Sequence, residues 1–195
     1  GMRTSRRISH ALVIDVPTYH KMFMMTDAAV NIAPTLADST IVAENAIAPA
    51  HSPGSEKPNA GRLSAGETVN PSLPSTLDAA ALCKMPDRGQ ITGGILDGPL
   101  AFDNAISAEA ARIKKIRSEV SGDVDILMAP DLESANMLFK QLTYLAGGEG
   151  AGIVLGTKIP VVLTSRADSV RTRLASVAVM AQVAHARRSG KFETR

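Results

Sequence analysis

Short segments that are almost wholly apolar recur along this chain, and each is followed by a stretch with the character of a helix. The clearest segments are residues 91–96, 124–129, 153–155 and 161–163. Strands without polar alternation are typical of parallel sheets whose two faces are both covered by helices. The sequence therefore predicts an α/β fold: a layered, mostly parallel sheet with helices on both faces. A length of 195 residues suits one domain, or one domain plus a piece of another.

Residue types at the ends of these segments set the expected boundaries of the elements. Ser75 and Asp78 have the spacing of a capping box and predict the start of a helix. The strand over 91–96 is expected to run into a turn at 97–99, because Asp, Gly and Pro favour turns. The last helix is expected over 167–188, with arginines at its carboxyl end and a glycine just beyond.

Composition and charge exclude several classes of protein. The net charge is only +2, and the basic residues are scattered without interleaved aromatics, so we expect no nucleic-acid partner. Cys83 is the only cysteine, which rules out an internal disulfide and indicates a cytoplasmic protein. Apolar runs are too short to cross a bilayer, so no membrane partner is expected. The four histidines lack the spacing of metal ligands, and we expect no metal site.

The most informative polar junction spans residues 164–169, between the apolar segment 161–163 and the last helix. Free backbone N–H groups at such a junction attract anions, and the planar guanidinium of Arg166 can bind phosphate through two hydrogen bonds. Ser165 supplies a hydroxyl group and Asp168 a carboxylate. The same serine and aspartate also have the spacing of a capping box. The local pattern thus leaves two interpretations open, an anion site and a helix cap, and they are compatible.

Weaker candidates lie elsewhere in the chain. Asp103 and Asn104 follow an expected strand, where open α/β sheets bind ligands, although both residue types also form turns. Asn136 and Lys140 are one helical turn apart and share a helix face, which points either to a cleft or to solvent. The glycine-rich run 147–152 follows a helix and precedes a strand, the reverse order of a dinucleotide-binding motif.

Several segments together resemble the phosphate acetyl/butyryl transferase family. The longest is RGQITGGILDGPLAFDNAIS at residues 88–107. The likeness occurs in the expected order and covers nearly the whole chain. The other matching segments are residues 27–35, 125–133, 136–147 and 160–169.

This resemblance implies an acyl-CoA:phosphate acyltransferase, in which acetyl-CoA or butyryl-CoA and phosphate exchange with acyl phosphate and coenzyme A. Coenzyme A is then a substrate, and no cofactor is expected. Arg166 would hold phosphate, and Ser165 would donate a hydrogen bond to the oxyanion of the tetrahedral intermediate. A carboxylate would act as base toward the thiol; the position implied by the family is Thr172 here, so Asp168 is the available substitute. We expect three further residues to contact substrate: Asn31, Asp103 and Asn136.

The resemblance also implies a domain organisation and an assembly. Family members have an isocitrate/isopropylmalate dehydrogenase-like architecture, with the active site in a cleft between two α/β domains, and they form homodimers. We expect residues 1–27 to be a remnant of the first domain, 28–158 to form the second, and 159–195 to return to the first as a strand and a long helix. Most of the first domain is expected to be missing on the amino-terminal side, so that the catalytic machinery is incomplete.

Two alternatives remain open at this point. One is a catalytically inactive, truncated domain that forms oligomers and binds coenzyme A. The last helix favours it, since an apolar stripe left bare by a missing domain promotes association. The stripe is Val170, Leu174, Val177 and Ala181. The other alternative is a metal- and nicotinamide-dependent dehydrogenase of similar architecture, which is disfavoured because no carboxylate cluster has the spacing of metal ligands.

Overall fold

A single seven-stranded sheet forms the centre of the molecule. The computed structural model describes residues 1–2, 4–51 and 56–190. The strands are β1 (Ser9–Asp15), β2 (Phe23–Thr26), β3 (Asn59–Leu63), β4 (Ile95–Leu100), β5 (Ile126–Met128), β6 (Glu149–Leu155) and β7 (Val161–Val162). The helices are α1 (Leu36–Ala50), α2 (Pro74–Lys84), α3 (Phe102–Ile106), α4 (Ala108–Ile113), α5 (Leu132–Tyr144) and α6 (Val170–Arg188), with a short 3-10 helix at Pro86–Arg88.

The sheet is mixed in direction. Its strand order is β4-β3-β5-β2-β1-β6-β7. The pairs β2–β5, β5–β3 and β3–β4 are parallel, whereas β1 pairs with both β2 and β6 in antiparallel fashion, and β6–β7 is antiparallel. Five strands therefore run in one direction, and β1 and β7 run in the other. The α/β class is confirmed. One sheet contains strands from all three expected segments, 1–27, 28–158 and 159–195, and residues 3, 52–55 and 191–195 of these segments lie outside the described residues.

Helices cover both faces of this sheet, as predicted. One apolar layer lies beneath α1, α2 and α6 and includes Ile47, Leu82 and Met180. The other lies beneath α3 and α5 and includes Ala105 and Ala135. Each fully buried aliphatic side chain in these layers stabilises the fold by about 1.5–3 kcal/mol relative to an exposed one. The two layers hold the sheet edges and helix ends at fixed positions.

The expected capping box at Ser75 and Asp78 is wrong. Helix α2 begins one residue earlier, at Pro74, and the residue before it is Leu73. Proline is favoured at the first helical position because its fixed φ matches the helix and its missing N–H is not needed there. The Ser75 hydroxyl instead lies 2.8 Å from the hydroxyl oxygen of Ser64, so it joins the helix to the end of β3.

The expected strand over 91–96 with a turn at 97–99 is also wrong. Strand β4 covers Ile95–Leu100, so the residues assigned to a turn lie inside the strand. β4 is at the edge of the sheet and pairs only with β3, and an edge strand tolerates Pro99, which has no N–H to donate. Ile91 is 1% exposed but lies ahead of the strand, which explains why its apolar character misled the assignment.

Helix α6 begins later than expected. Its cap is Ser169, whose hydroxyl accepts a hydrogen bond from the N–H of Thr172, and the first helical residue is Val170 rather than Ala167. The interpretation of Ser165 as the cap of this helix is therefore wrong. In the described part of the chain, no helix combines the length and apolar character needed to cross a membrane.

Candidate functional site

A pocket of about 190 Å³ lies where α5 and the segment after β7 face strands β1 and β6. Three of the residues singled out from sequence, Ser165, Asp168 and Asn136, line this pocket together. The loop after β2 contributes Ala28 and Ala29 to its wall. The structure thus brings residues that are far apart in sequence to one small concave site.

The segment between β7 and α6 forms a tight turn held by its own polar groups. The N–H of Ser165 donates to Oδ2 of Asp168 at 2.6 Å, and the N–H of Asp168 donates to the Ser165 carbonyl oxygen at 3.2 Å. The Ser165 hydroxyl oxygen accepts a longer bond, 3.3 Å, from the N–H of Ala167. The carboxylate therefore fixes the backbone that presents the serine hydroxyl, even though no helix begins there.

Arg166 follows Ser165 directly in this turn. Its side chain is exposed, and it is outside the set of described residues that line the 190 Å³ space. Its carbonyl oxygen accepts a hydrogen bond from Nη2 of Arg173 at 3.2 Å. Within 4–51 and 56–190, no carboxylate forms an ion pair with the Arg166 guanidinium. The exposed guanidinium is accessible to anions in solvent, and its role with phosphate stays a prediction.

Glycines in β6 form the floor of the pocket. A Cβ atom at Gly150 would lie 2.5 Å from the ring of Phe139, and one at Gly152 would overlap the carbonyl oxygen of Leu163. Both positions therefore need glycine so that α5 and the segment after β7 can approach the sheet. The glycine-rich run shapes this floor by allowing close packing.

Helix α5 turns one polar face toward the pocket, which is one of the two interpretations that its spacing left open. Asn136 and Lys140 both line the space. Nδ2 of Asn136 donates to the carbonyl oxygen of Ala28 at 3.2 Å, which joins α5 to the loop after β2. Lys140 is exposed, so its ammonium group remains in contact with water.

His10 is a pocket residue that the sequence did not identify. It is 3% exposed, lines the pocket from β1, and donates its backbone N–H to Oδ2 of Asp27 at 3.0 Å. Among the described residues, neither ring nitrogen has a hydrogen-bond partner of good geometry. Burial lowers the pKa of His10, although the negative charge of Asp27 and the nearby Leu163 carbonyl oppose that change. A single histidine in an apolar segment carries no motif, so only the tertiary structure reveals it.

Asn31 lies behind the pocket rather than inside it. Its Nδ2 donates to Oδ2 of Asp27 at 2.6 Å and to the carbonyl oxygen of Ile8 at 3.0 Å, and its Oδ1 accepts from Nε of Arg7. The side chain is buried and holds the loop after β2 against the start of β1. It also borders an adjacent groove of about 560 Å³, together with Arg6 and Arg7.

Asp103 lies on α3, outside the group of residues that line the Ser165 pocket. Its carboxylate forms an ion pair with Lys114 at 3.0 Å, and Lys114 also contacts Glu67 at 3.2 Å. The hydrogen bond from Lys114 is the main reason that the pKa of Asp103 is lowered. The structure therefore places Asp103 in a surface ion-pair cluster.

In 1–2, 4–51 and 56–190, no set of three or more His, Cys, Asp or Glu side chains is arranged to hold a metal ion.

Comparisons with known proteins give the chain a family. A family model described as phosphate acetyl/butaryl transferase matches residues 1–181. A phosphate acetyltransferase of Rhizobium meliloti is 56% identical over 191 residues, covering 98% of this chain and 60% of that protein. A phosphate butyryltransferase of Clostridium acetobutylicum is 45% identical over 184 residues, covering 94% of this chain and 61% of that protein. The crystal structure of a branched-chain phosphotransacylase from Enterococcus faecalis V583 superposes with a TM-score of 0.87 at 35% identity, over 94% of this chain and 66% of that one.

The chain thus spans about three fifths of the length of these two curated relatives. The match to the family model extends over β1 to β7 and most of α6, and it includes every residue of the Ser165 pocket. This chain belongs to the phosphate acetyl/butaryl transferase family.

Proposed function

We propose that this protein transfers a short acyl group between coenzyme A and inorganic phosphate. The observation that carries the proposal is the pocket that Ser165 lines together with Asp168 and Asn136, with the exposed Arg166 as the next residue in the same turn. Membership of the family supports the same reaction.

In the proposed mechanism, an oxygen of phosphate attacks the carbonyl carbon of the thioester. Negative charge develops on the carbonyl oxygen, and the Ser165 hydroxyl donates a hydrogen bond to it. The C–S bond then breaks, and acyl phosphate and coenzyme A are the products. Arg166 orients phosphate and balances its charge through two parallel hydrogen bonds. Asp168 acts on this step indirectly, because its carboxylate fixes the backbone of Ser165.

The size of the pocket suits a short acyl group. Pockets that enclose a drug-sized ligand are usually about 300–1,000 Å³, and this one is about 190 Å³. It would admit the acyl carbons and the thioester while the rest of coenzyme A lies outside. Asn136 then contacts the acyl group from α5, and Asn31 supports the site by holding the loop after β2. Asp103 takes no part in this proposal, because it lies outside the pocket.

The proposal also covers the cofactors, partners, cellular location and architecture of the enzyme. Coenzyme A is a substrate, no cofactor is used, and neither nucleic acid nor a membrane is a partner. A cytoplasmic location fits the free thiol of Cys83. The mixed sheet with helices on both faces supports the finer expectation of an isocitrate/isopropylmalate dehydrogenase-like architecture.

We also propose that the protein forms a homodimer, and exposed apolar residues on α6 favour this assembly. Val170 is 74% exposed, Leu174 is 65% exposed and Val177 is 56% exposed. An apolar surface of this kind marks an interaction site in most soluble proteins. Sedimentation velocity tests the idea: a dimer is expected for the unaltered protein and a monomer for Leu174→Glu. If an inactive protein formed the dimer, the oligomerisation domain would replace the enzyme as the preferred function.

Phosphate-dependent release of coenzyme A tests the enzymatic proposal. The purified protein is given acetyl-CoA or butyryl-CoA, and the free thiol is followed with a chromogenic disulfide. Thiol release is expected only with phosphate present, and Arg166→Ala should lower kcat/KM for phosphate by about 100-fold or more. Arg112→Ala is the matched control, because Arg112 is an exposed arginine paired with Glu109, remote in sequence from the site. Thiol release that ignores phosphate, or full activity of Arg166→Ala, would contradict the proposal.

A further inference from the structure

We infer that His10 is the general base that removes the proton from the coenzyme A thiol when acyl-CoA is formed. This inference rests on the proposed function and names a catalytic residue for it. No motif in the sequence points to His10, and its position becomes apparent only when β1 and β6 are paired. In that pairing His10 lies opposite Val154, and the next residue, Ala11, lies opposite Ile153.

The first line of support is the position of the ring. His10 lines the same pocket as Ser165, so a thioester whose carbonyl oxygen meets the serine hydroxyl lies within the space that the imidazole borders. The residue is 3% exposed, and in the described chain both ring nitrogens lack a good hydrogen-bond partner. A buried polar group without a partner costs about 1–3 kcal/mol. The Leu163 carbonyl lies near the ring and acts on its pKa, and a ligand atom in the pocket would supply a partner for the other nitrogen.

The second line of support is the state of the other polar side chains in the pocket. Asp168 already accepts the Ser165 N–H at 2.6 Å, so that oxygen is engaged in holding the turn. Lys140 is exposed, and an ammonium group has no lone pair that could accept a proton. Thr172 has only a weakly acidic hydroxyl group. Of these four side chains, the His10 imidazole is the one whose ordinary pKa lies nearest to neutral pH.

Electrostatics at the ring is consistent with that role. The charged groups that face it are Asp27 from the loop after β2, Asp168 from the turn after β7 and Lys140 from α5. Burial lowers the pKa of His10 below its ordinary value of 6.5, and the attraction of Asp27 limits the change. In its neutral form the ring keeps a lone pair on one nitrogen, and the carboxylate of Asp27 stabilises the imidazolium that forms during the reaction.

The proposed step balances its protons and bonds. The unprotonated ring nitrogen takes the proton of the coenzyme A thiol, and the thiolate sulfur attacks the carbonyl carbon of the acyl phosphate. A C–S bond forms, and the C–O bond to phosphate breaks with its electron pair on the phosphate oxygen. The imidazolium then gives its proton to that oxygen, so that hydrogen phosphate leaves and His10 is neutral again. In the opposite direction the proton moves from hydrogen phosphate to the leaving thiolate.

Steady-state kinetics of His10→Asn tests the inference. Asparagine is polar and smaller, but it cannot accept the proton. The rate of acyl-CoA formation is expected to fall by about 10²–10⁴-fold, and the acid limb of kcat/KM for coenzyme A, present in the unaltered protein, should disappear. His20→Asn is the matched control, because His20 is an exposed histidine that pairs with Asp123, and it should retain both rate and pH profile. Asp168→Asn should lower the rate but keep the acid limb.

Spectroscopy of the unaltered protein provides a test that does not depend on a buried substitution. With ¹⁵N-labelled histidine, titration of the His10 ring is followed by NMR with and without coenzyme A. The signals of His10 should move when coenzyme A binds, while those of His20 stay in place. Normal rate and pH dependence in His10→Asn, or a His10 signal unaffected by coenzyme A, would overturn the role of His10 alone. Absence of any turnover by the unaltered protein would overturn the proposed function as well.

Discussion

Replacement of Arg62 by methionine should stabilise the protein, because Arg62 is a buried cation without a close counter-ion. The residue is on the interior strand β3 and is 3% exposed. Nη1 donates to the carbonyl oxygen of Ala129 at 2.6 Å, and Nε is buried without a hydrogen-bond partner among the described residues. Burial lowers the pKa of Arg62, and the carboxylates of Asp78 and Asp131 counteract this only at longer range.

The expected gain follows from three opposing contributions. Removing a charge from the interior relieves a desolvation cost of several kcal/mol, and methionine fills a similar volume with apolar atoms. The Ala129 carbonyl loses its donor, which costs about 1–3 kcal/mol. We therefore expect Arg62→Met to raise the free energy of unfolding by about 1–3 kcal/mol, the range seen when buried ionic groups are replaced by apolar ones. For a chain of this length that gain corresponds to a rise in Tm of about 2–12 °C.

Urea unfolding followed by circular dichroism measures this change. The midpoint should rise with an unchanged m value, which shows that stability changed rather than the surface exposed on unfolding. Arg112→Met is the control, since Arg112 is an exposed arginine and its replacement should stay within about 0.5 kcal/mol of the unaltered protein. A loss of 1 kcal/mol or more in Arg62→Met would show that the guanidinium makes a net stabilising interaction and would refute the reasoning.

Three further predictions concern other parts of the fold. Gly152→Ala should destabilise the protein by about 1–3 kcal/mol in urea unfolding, because its Cβ overlaps backbone, whereas Gly66→Ala, where the added atom meets open space, should not. The N–H of Thr35 holds the pKa of Asp38 below its ordinary value of 3.8. The stability that this carboxylate contributes is therefore present above pH 3.8 and is lost as the pH falls through the lower native pKa. The difference in unfolding free energy between the unaltered protein and Asp38→Asn should vanish in acid. Burial raises the pKa of the Cys83 thiol to about 12, so it should react slowly with a thiol reagent at pH 8 and rapidly in urea.

Much of the fold is accessible from sequence because it depends on local composition. Apolar segments without alternation indicated buried strands, and the helices α1, α4 and α5 follow polar caps at Thr35, Ser107 and Asp131. The direction of β1 was not accessible, since its antiparallel partners β2 and β6 include a strand more than a hundred residues away. Pairing over such distances depends on the whole sheet rather than on local pattern. For the same reason, the mixed direction of the sheet could not be predicted from local sequence.

Some residues of the candidate site could likewise be identified from sequence, and others could not. The junction at 164–169 was singled out because polar residues after an apolar segment are visible in the sequence, although the helix cap expected at Ser165 is wrong. His10 was missed because its significance comes from three distant elements that surround one ring. Asp103 was selected for its place after an expected strand, yet a neighbouring lysine, Lys114, pairs with it on the surface. Residue type and spacing therefore identify groups capable of chemistry, and the tertiary contacts decide which of them meet.

The central claim is that Ser165 stabilises an oxyanion in a transfer between coenzyme A and phosphate. The most direct measurement is kcat for acyl-CoA formation from acetyl phosphate and coenzyme A by the unaltered protein and by Ser165→Ala, with coenzyme A binding measured separately by calorimetry. We predict that kcat falls by about 10²–10³-fold, as for the loss of one oxyanion donor, while the affinity for coenzyme A is unchanged. An unchanged kcat in Ser165→Ala would contradict the account.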